Sequence, residues 1–242
     1  MHPILLKTGS FTLYSYGLCV ALAMVLTLAL TFRQSARAGV SWNDATDLLF
    51  VLFVTGLVGS RLSYVAQNWE YYRGDLWNIL RFQEGGLVWY GGFLFGLACG
   101  IALCVWKRQS FLFWMDFFAP MAALAHAVGR VGCFLNGCCT GRQTDLFLGV
   151  RFPEDDFCRH PVQLYEAALL AALAFYLLSL GRRQRKPGEI FAIYVFFYGL
   201  MRFTLEFLRA DQTLHFHLTL PQWISLALIG ATLVFFKKAR QR

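Results

Sequence analysis

Four short stretches of this chain place ionisable side chains inside otherwise apolar surroundings. In Tyr198–Arg209, Arg202 and Glu206 stand four residues apart and Glu206 and Arg209 three apart, so all three share one helical face. Arg202 lies about 10 Å deeper along such a helix than Arg209. A second stretch, Gly129–Arg142, sets Arg130 just before a glycine-rich turn that contains Asn136, Gly137 and Gly141. A guanidinium beside open backbone N–H groups makes an anion site. The third is Gly59-Ser60-Arg61-Leu62-Ser63-Tyr64, and in the fourth the pairs Gly85-Gly86 and Gly91-Gly92 bracket Trp89 and Tyr90. Each has a plainer reading: a structural ion pair, a helix stop, an arginine snorkelling to an interface, and helix packing through small residues. Packing accounts for Gly92, Gly96 and Gly100 more readily than for the doubled pairs.

These stretches sit in a chain built for lipid. Of 242 residues, 57% are hydrophobic and 15% charged, and the mean hydropathy is +0.50. Soluble domains carry about a quarter charged residues. Seven apolar blocks, roughly 14–33, 45–66, 87–106, 111–135, 161–181, 189–208 and 218–236, have the length of about 20 residues that a spanning helix needs. Backbone groups in lipid must pair within their own segment, which makes these blocks helices. The sequence therefore predicts an all-α polytopic membrane protein with about seven transmembrane helices, in one membrane domain over residues 1–242. The first block reads as a span, because it is too long for the apolar core of a cleaved signal peptide.

The basic residues orient the spans. Alternate loops and the C-terminal tail hold twelve Lys/Arg, among them Arg33, Lys107, Arg182, Lys186 and Lys237, and the opposite side holds seven. The positive-inside bias puts the N-terminus outside and the C-terminus in the cytoplasm. The net charge of +8 then serves topology and contact with anionic lipid headgroups, and no soluble basic fold remains to bind nucleic acid. Cys19, Cys99 and Cys104 read as packing residues. Cys133, Cys138, Cys139 and Cys158 fall on the outer side, where a disulfide of open connectivity fits an oxidising compartment. A zinc site using His160 matches no common ligand spacing, so no metal ligand is expected.

In this topology all four polar stretches reach the outer ends of their spans. One outward polar cavity explains them better than four separate defects. Several arginines around glycine-rich backbone suit an anionic headgroup, most simply a phosphate.

These segments, in this order, resemble the prolipoprotein diacylglyceryl transferase family. The likeness takes in Tyr16-Gly17, Gly59 with Arg61 and Tyr64, the two glycine pairs, Asp116 and Pro120. It continues through Gly129-Arg130 to Gly141-Arg142, then His160-Pro161 with Gln163-Leu164-Tyr165-Glu166, and ends at Tyr198-Gly199 with Arg202-Phe203 and Glu206. The resemblance implies transfer of a diacylglyceryl group from phosphatidylglycerol to the lipobox cysteine of a preprolipoprotein signal peptide. A thioether forms, glycerol phosphate leaves, and no cofactor is needed. It also implies a multi-pass protein of the bacterial cytoplasmic (inner) membrane, surrounded by membrane lipids.

On these positions the resemblance implies catalytic roles for Tyr90, Arg130, Arg202 and Glu206, with both arginines on the phosphate and Glu206 orienting Arg202. Tyr16, Arg61, Asn136, Gly141, Gln163, Tyr165 and Glu166 would bind substrate. Three positions depart from well-known members: Tyr90 replaces a histidine suited to act as general base, Cys133 an asparagine and Cys138 a glutamate. This form resembles a branch of the family with Tyr-Gly-Gly and Gly-Cys-Cys. Tyrosine, with an ordinary pKa near 10, is a poor base unless strongly shifted. His160 offers another imidazole; His126 reads as a core histidine, and His215 and His217 as interfacial. A related lipid-using transferase with a different acceptor is the alternative, and a lipid-binding or transport protein a further one.

Overall fold

A computed structural model describes residues 1–8, 11–81, 85–153, 155–181, 186–210 and 213–241. Arg182, Arg183, Arg185 and Arg242 of the topological charge count lie outside the described residues, as does the side chain of His215. The described residues form eight helices and three two-stranded ribbons. The helices are α1 (Ser15–Ala38), α2 (Trp42–Gln67), α3 (Trp69–Tyr72), α4 (Trp89–Trp106), α5 (Phe111–Asn136), α6 (Val162–Leu180), α7 (Glu189–Glu206) and α8 (Leu220–Arg240), with a 3-10 turn at Leu76–Leu80. The ribbons pair β1 (Ile4–Thr8) with β2 (Phe11–Tyr14), β3 (Val150–Arg151) with β4 (Cys158–Arg159), and β5 (Leu214–His215) with β6 (Leu218–Thr219).

Every apolar block is a helix. α1, α2, α5, α6 and α8 are long and apolar enough to cross a membrane by length and composition, and Tyr90–Trp106 is a shorter apolar helix. α7 has 18 residues and carries Glu189, Arg202 and Glu206, so its polarity rather than its length sets it apart. The chain is an all-α polytopic membrane protein.

The chain divides into two compact units, Met1–Leu30 with Leu112–Arg242, and Thr31–Phe111. In the first, Ala119 and Ala123 of α5 pack against Leu173, Ala174 and Leu177 of α6, with Ile190, Phe191 and Tyr194 of α7 beside them. Toward the other end of α5, Ala127 meets Val162, Leu170, Met201 and Leu205. Small residues let helices approach closely where lipid offers no hydrophobic drive. Gly199 of α7 performs the same service against Ser225 and Ile229 of α8. The start of α8 is closed by a capping box in which Thr219 Oγ1 accepts from Gln222 N and Gln222 Oε1 accepts from Thr219 N.

Asp116 supplies a cap in trans. Its carboxylate accepts the backbone N–H of Gly188 at 2.6 Å and of Phe191 at 2.7 Å, at the start of α7. Those donors have no partner within their own helix, and the N-terminal dipole favours an anion there. Asp116→Ala should lower the stability of the detergent-solubilised protein by about 2 kcal/mol, and Asp116→Asn by less. Thermal unfolding followed by circular dichroism measures both, and an unchanged midpoint for the alanine variant would remove the cap from the account.

In the second unit α2 and α4 cross closely. A side chain at Gly92 would meet Gly56 O at 2.7 Å, and one at Gly91 would strike Ser63. Both members of this glycine pair are therefore packing residues, a wider use of small residues than the sequence suggests. The other pair, Gly85-Gly86, turns with φ of +82° and +72°.

Candidate active site

The first unit gathers an ion-pair cluster at the C-terminal ends of α5 and α7 and the start of α6. Glu166, in the second turn of α6 and 1% exposed, is its hub. Its carboxylate lies 3.0 Å from Arg130 Nε and 3.6 Å from Arg209 Nη2. His126 Nε2 is 3.6 Å from its other oxygen. Glu206 forms the second anionic centre, 2.9 Å from Arg202 Nη1 and 3.9 Å from Arg209 Nε. Thr219 Oγ1 donates to Glu206 at 3.1 Å, so the capping box of α8 also fixes this carboxylate. Arg202 and Glu206 meet at i,i+4 within α7 as the spacing requires, whereas Arg209 lies past the end of the helix and reaches both carboxylates from the loop.

The electrostatics of this cluster are unbalanced. Three guanidiniums face two buried carboxylates, leaving one net positive charge among these five groups. Two acids alone would hold two arginines. A third, partly buried arginine is stabilised by a further anion.

The loop after α5 is tied to the end of α7. Arg142 N donates to Leu208 O at 2.8 Å, and Arg142 Nε to Arg209 O at 3.1 Å. Gly141 N donates to His160 O at 3.0 Å, and a side chain at Gly141 would lie 2.7 Å from that carbonyl and from Val162. Glycine here lets the loop reach the start of α6. Gln163, fully buried, donates from Nε2 to Cys138 O at 2.6 Å, and Tyr165 Oη lies 3.4 Å from His160 Nδ1. Asn136 is exposed at the end of α5. Tyr16 is half-exposed in the first turn of α1, and its ring lies against Gly132.

All seven cysteines are free thiols. The sulfurs of Cys133, Cys138 and Cys139 lie within 4.8 Å of one another, and neither Cys158 nor His160 belongs to this triangle. Cys139 lies beyond the end of α5. Its sulfur is hydrogen-bonded with Cys133 and lies within reach of the charges of Arg209 and Arg130.

In the second unit Arg61 is 2% exposed, so it does not snorkel. Its guanidinium donates to the backbone carbonyls of Asn78 (2.7 Å), Ile79 (2.9 Å), Arg81 (3.1 Å), Gly85 (2.6 Å) and Gly86 (3.2 Å). It thereby folds the loop that leads into α4. Tyr90, in the first turn of α4, is 59% exposed.

The sequence marks Arg209 as part of a polar stretch without giving it a role, and marks His126 only as a core histidine; both meet Glu166. His126 precedes Arg130 by four residues, which puts both on one face of α5; that spacing was the available signal. Thr219 carried none, since its contact with Glu206 depends on how α7 and α8 pack.

The chain is thus a helical membrane protein whose first unit holds a buried, net-positive arginine–glutamate cluster. The family model for prolipoprotein diacylglyceryl transferase matches residues 3–237, and the chain belongs to that family. It is 32% identical over 248 residues to the phosphatidylglycerol–prolipoprotein diacylglyceryl transferase of Clostridium tetani (strain Massachusetts / E88), covering 100% of this chain and 99% of that one. It is 31% identical over 251 residues to the protein of the same name from Streptococcus pyogenes serotype M5 (strain Manfredo), covering 100% and 96%.

Proposed function

We propose that this protein moves the diacylglyceryl group of phosphatidylglycerol onto the lipobox cysteine thiol of preprolipoproteins. The unbalanced cluster of Arg130, Arg202 and Arg209 against Glu166 and Glu206 carries this reading. The thiol sulfur attacks the glyceryl carbon that bears the phosphate. The carbon–sulfur bond forms, the carbon–oxygen bond breaks, and glycerol phosphate departs with that electron pair. A phosphodiester with one negative charge becomes a monoester with up to two. The growing charge is what fixed guanidiniums stabilise. Arg130 and Arg202 hold the phosphate, Glu206 orients Arg202, and Glu166 orients Arg130.

The thiol must lose its proton first, since the thiolate is the nucleophile. His126, beside Glu166 and packed on the Tyr198 ring at 5.6 Å between centroids, is the proton acceptor in this reading. Tyr16 positions headgroup or peptide; the role of Tyr90, in the second unit, is tested separately by Tyr90→Phe. Asn136, Gln163 and Tyr165 shape the mouth with Gly141, and Arg61, in the second unit, holds the loop before α4. An apolar groove of about 510 Å³ between α6 and α7, lined by Leu169, Tyr176, Phe197, Met201 and Thr204, suits an acyl chain. The chain acts as one membrane domain of seven spans in the bacterial cytoplasmic membrane, N-terminus outside, an orientation supported by its basic loops.

Reconstitution tests the reaction. Purified protein in phosphatidylglycerol vesicles should convert a lipobox peptide to its diacylglyceryl thioether, detected by mass. The Cys→Ser peptide and vesicles lacking phosphatidylglycerol should give no product. Folded protein that leaves the cysteine peptide unmodified would overturn the proposal, and lipid transfer to another acceptor would replace the substrate.

A further inference from the structure

The three-sulfur triangle at the end of α5 has no part in the reaction above, and its construction calls for a separate account. Cys133 lies in the last turn of α5, and Cys138 and Cys139 follow in the turn that leaves it. Two left-handed residues, Gly137 at φ +76° and Cys139 at φ +63°, fold that turn back on the helix. Glycine takes such a conformation freely; cysteine does so against the clash of its own Cβ. Strain of this kind persists where the surroundings over-determine it and collects at functional sites. The turn is held firmly: Cys138 N donates to Cys133 O at 3.1 Å, and buried Gln163 clamps Cys138 O at 2.6 Å. The outcome is three thiols converging on one point.

We infer that Cys133, Cys138 and Cys139 form a binding site for one thiophilic d10 metal cation, zinc or copper(I). Tetrahedral zinc with bonds of about 2.3 Å spaces its sulfurs about 3.8 Å apart. Sulfurs already within 4.8 Å of one another reach that spacing by small side-chain rotations. Soft thiolate ligands select zinc and copper(I) over calcium or magnesium. Three thiolates around either cation carry a net negative charge, and Arg209 and Arg130 act on Cys139 with the opposite sign. The contact between Gln163 and Cys138 O supplies the outer support that fixes a ligand turn. Among the described residues no fourth His, Cys, Asp or Glu joins the cluster. This leaves trigonal copper(I), or zinc with an exogenous fourth ligand.

The test uses the full-length protein in detergent, reduced and freed of metal. Cadmium serves as the probe, followed by its thiolate charge-transfer absorption. One cadmium per chain should bind and protect Cys133, Cys138 and Cys139 together from maleimide, while Cys99 reacts as before. Cys139→Ser should weaken binding at least about tenfold. Competition with a copper(I) chelator, and the metal content of protein taken directly from membranes, then distinguish copper from zinc. Three results would overturn the site: no saturable uptake by the native chain, unchanged maleimide rates, or uptake surviving the joint Cys133→Ser and Cys139→Ser replacement. A disulfide between any two of the three in freshly isolated protein would do the same.

Discussion

Arg130→Lys should reduce diacylglyceryl transfer by about a thousandfold while the protein still inserts in the membrane. Lysine keeps the charge but lacks the planar fork that can grip a carboxylate and a phosphate together. Arg130 Nε lies 3.0 Å from Glu166, and the proposed reaction assigns its terminal nitrogens to the substrate. Loss of one fixed donor at a site of developing charge costs roughly 10²- to 10³-fold in rate. Arg130→Ala should be more severe, because it also strips the nearest cation from a carboxylate that is 1% exposed. Breaking a buried pair in this way costs about 3–5 kcal/mol, so the alanine variant should lose stability as well as activity. The lysine variant separates the two effects. Transfer within tenfold of the parent, in protein of normal melting temperature, would remove Arg130 from the phosphate site.

His126→Gln should lower turnover by about 10²- to 10⁴-fold, the range of positioned acid–base groups. Glutamine retains a donor toward Glu166 but cannot take up a proton at neutral pH. The readout that a structural role would not move is the pH–rate profile. The parent should lose activity at acid pH as the imidazole becomes protonated, and the variant should lose that limb. Tyr90→Phe provides the comparison. If the phenylalanine variant works near the parent rate and His126→Gln does not, the histidine is the base. If the reverse holds, the exposed tyrosine has the role and His126 only fills space.

Much of the frame was legible from the sequence. The predicted span at 161–181 is a helix over Val162–Leu180, and that at 111–135 runs over Phe111–Asn136. Long apolar runs are strong signals because lipid leaves the backbone no partner except itself. The sixth block, read to residue 208, ends at Glu206. The backbone there leaves the helix so that Arg142 can pair with Leu208. Such an ending depends on a loop nearly seventy residues away and has no local mark. The three short ribbons were missed for a similar reason, since strands of two to five residues carry almost no periodicity.

Residue types and helical spacing alone thus determined an all-α membrane protein and the shared face of Arg202 and Glu206. Those are properties of single segments, set by backbone geometry and the exclusion of water. Tertiary structure decided which charges meet. It made Glu166 the hub for Arg130, Arg209 and His126, turned Arg61 inward onto five carbonyls, and drew three cysteines to one point. Each of these partnerships joins different helices, or a helix and a loop. Their strength depends on distance and burial, which only packing defines.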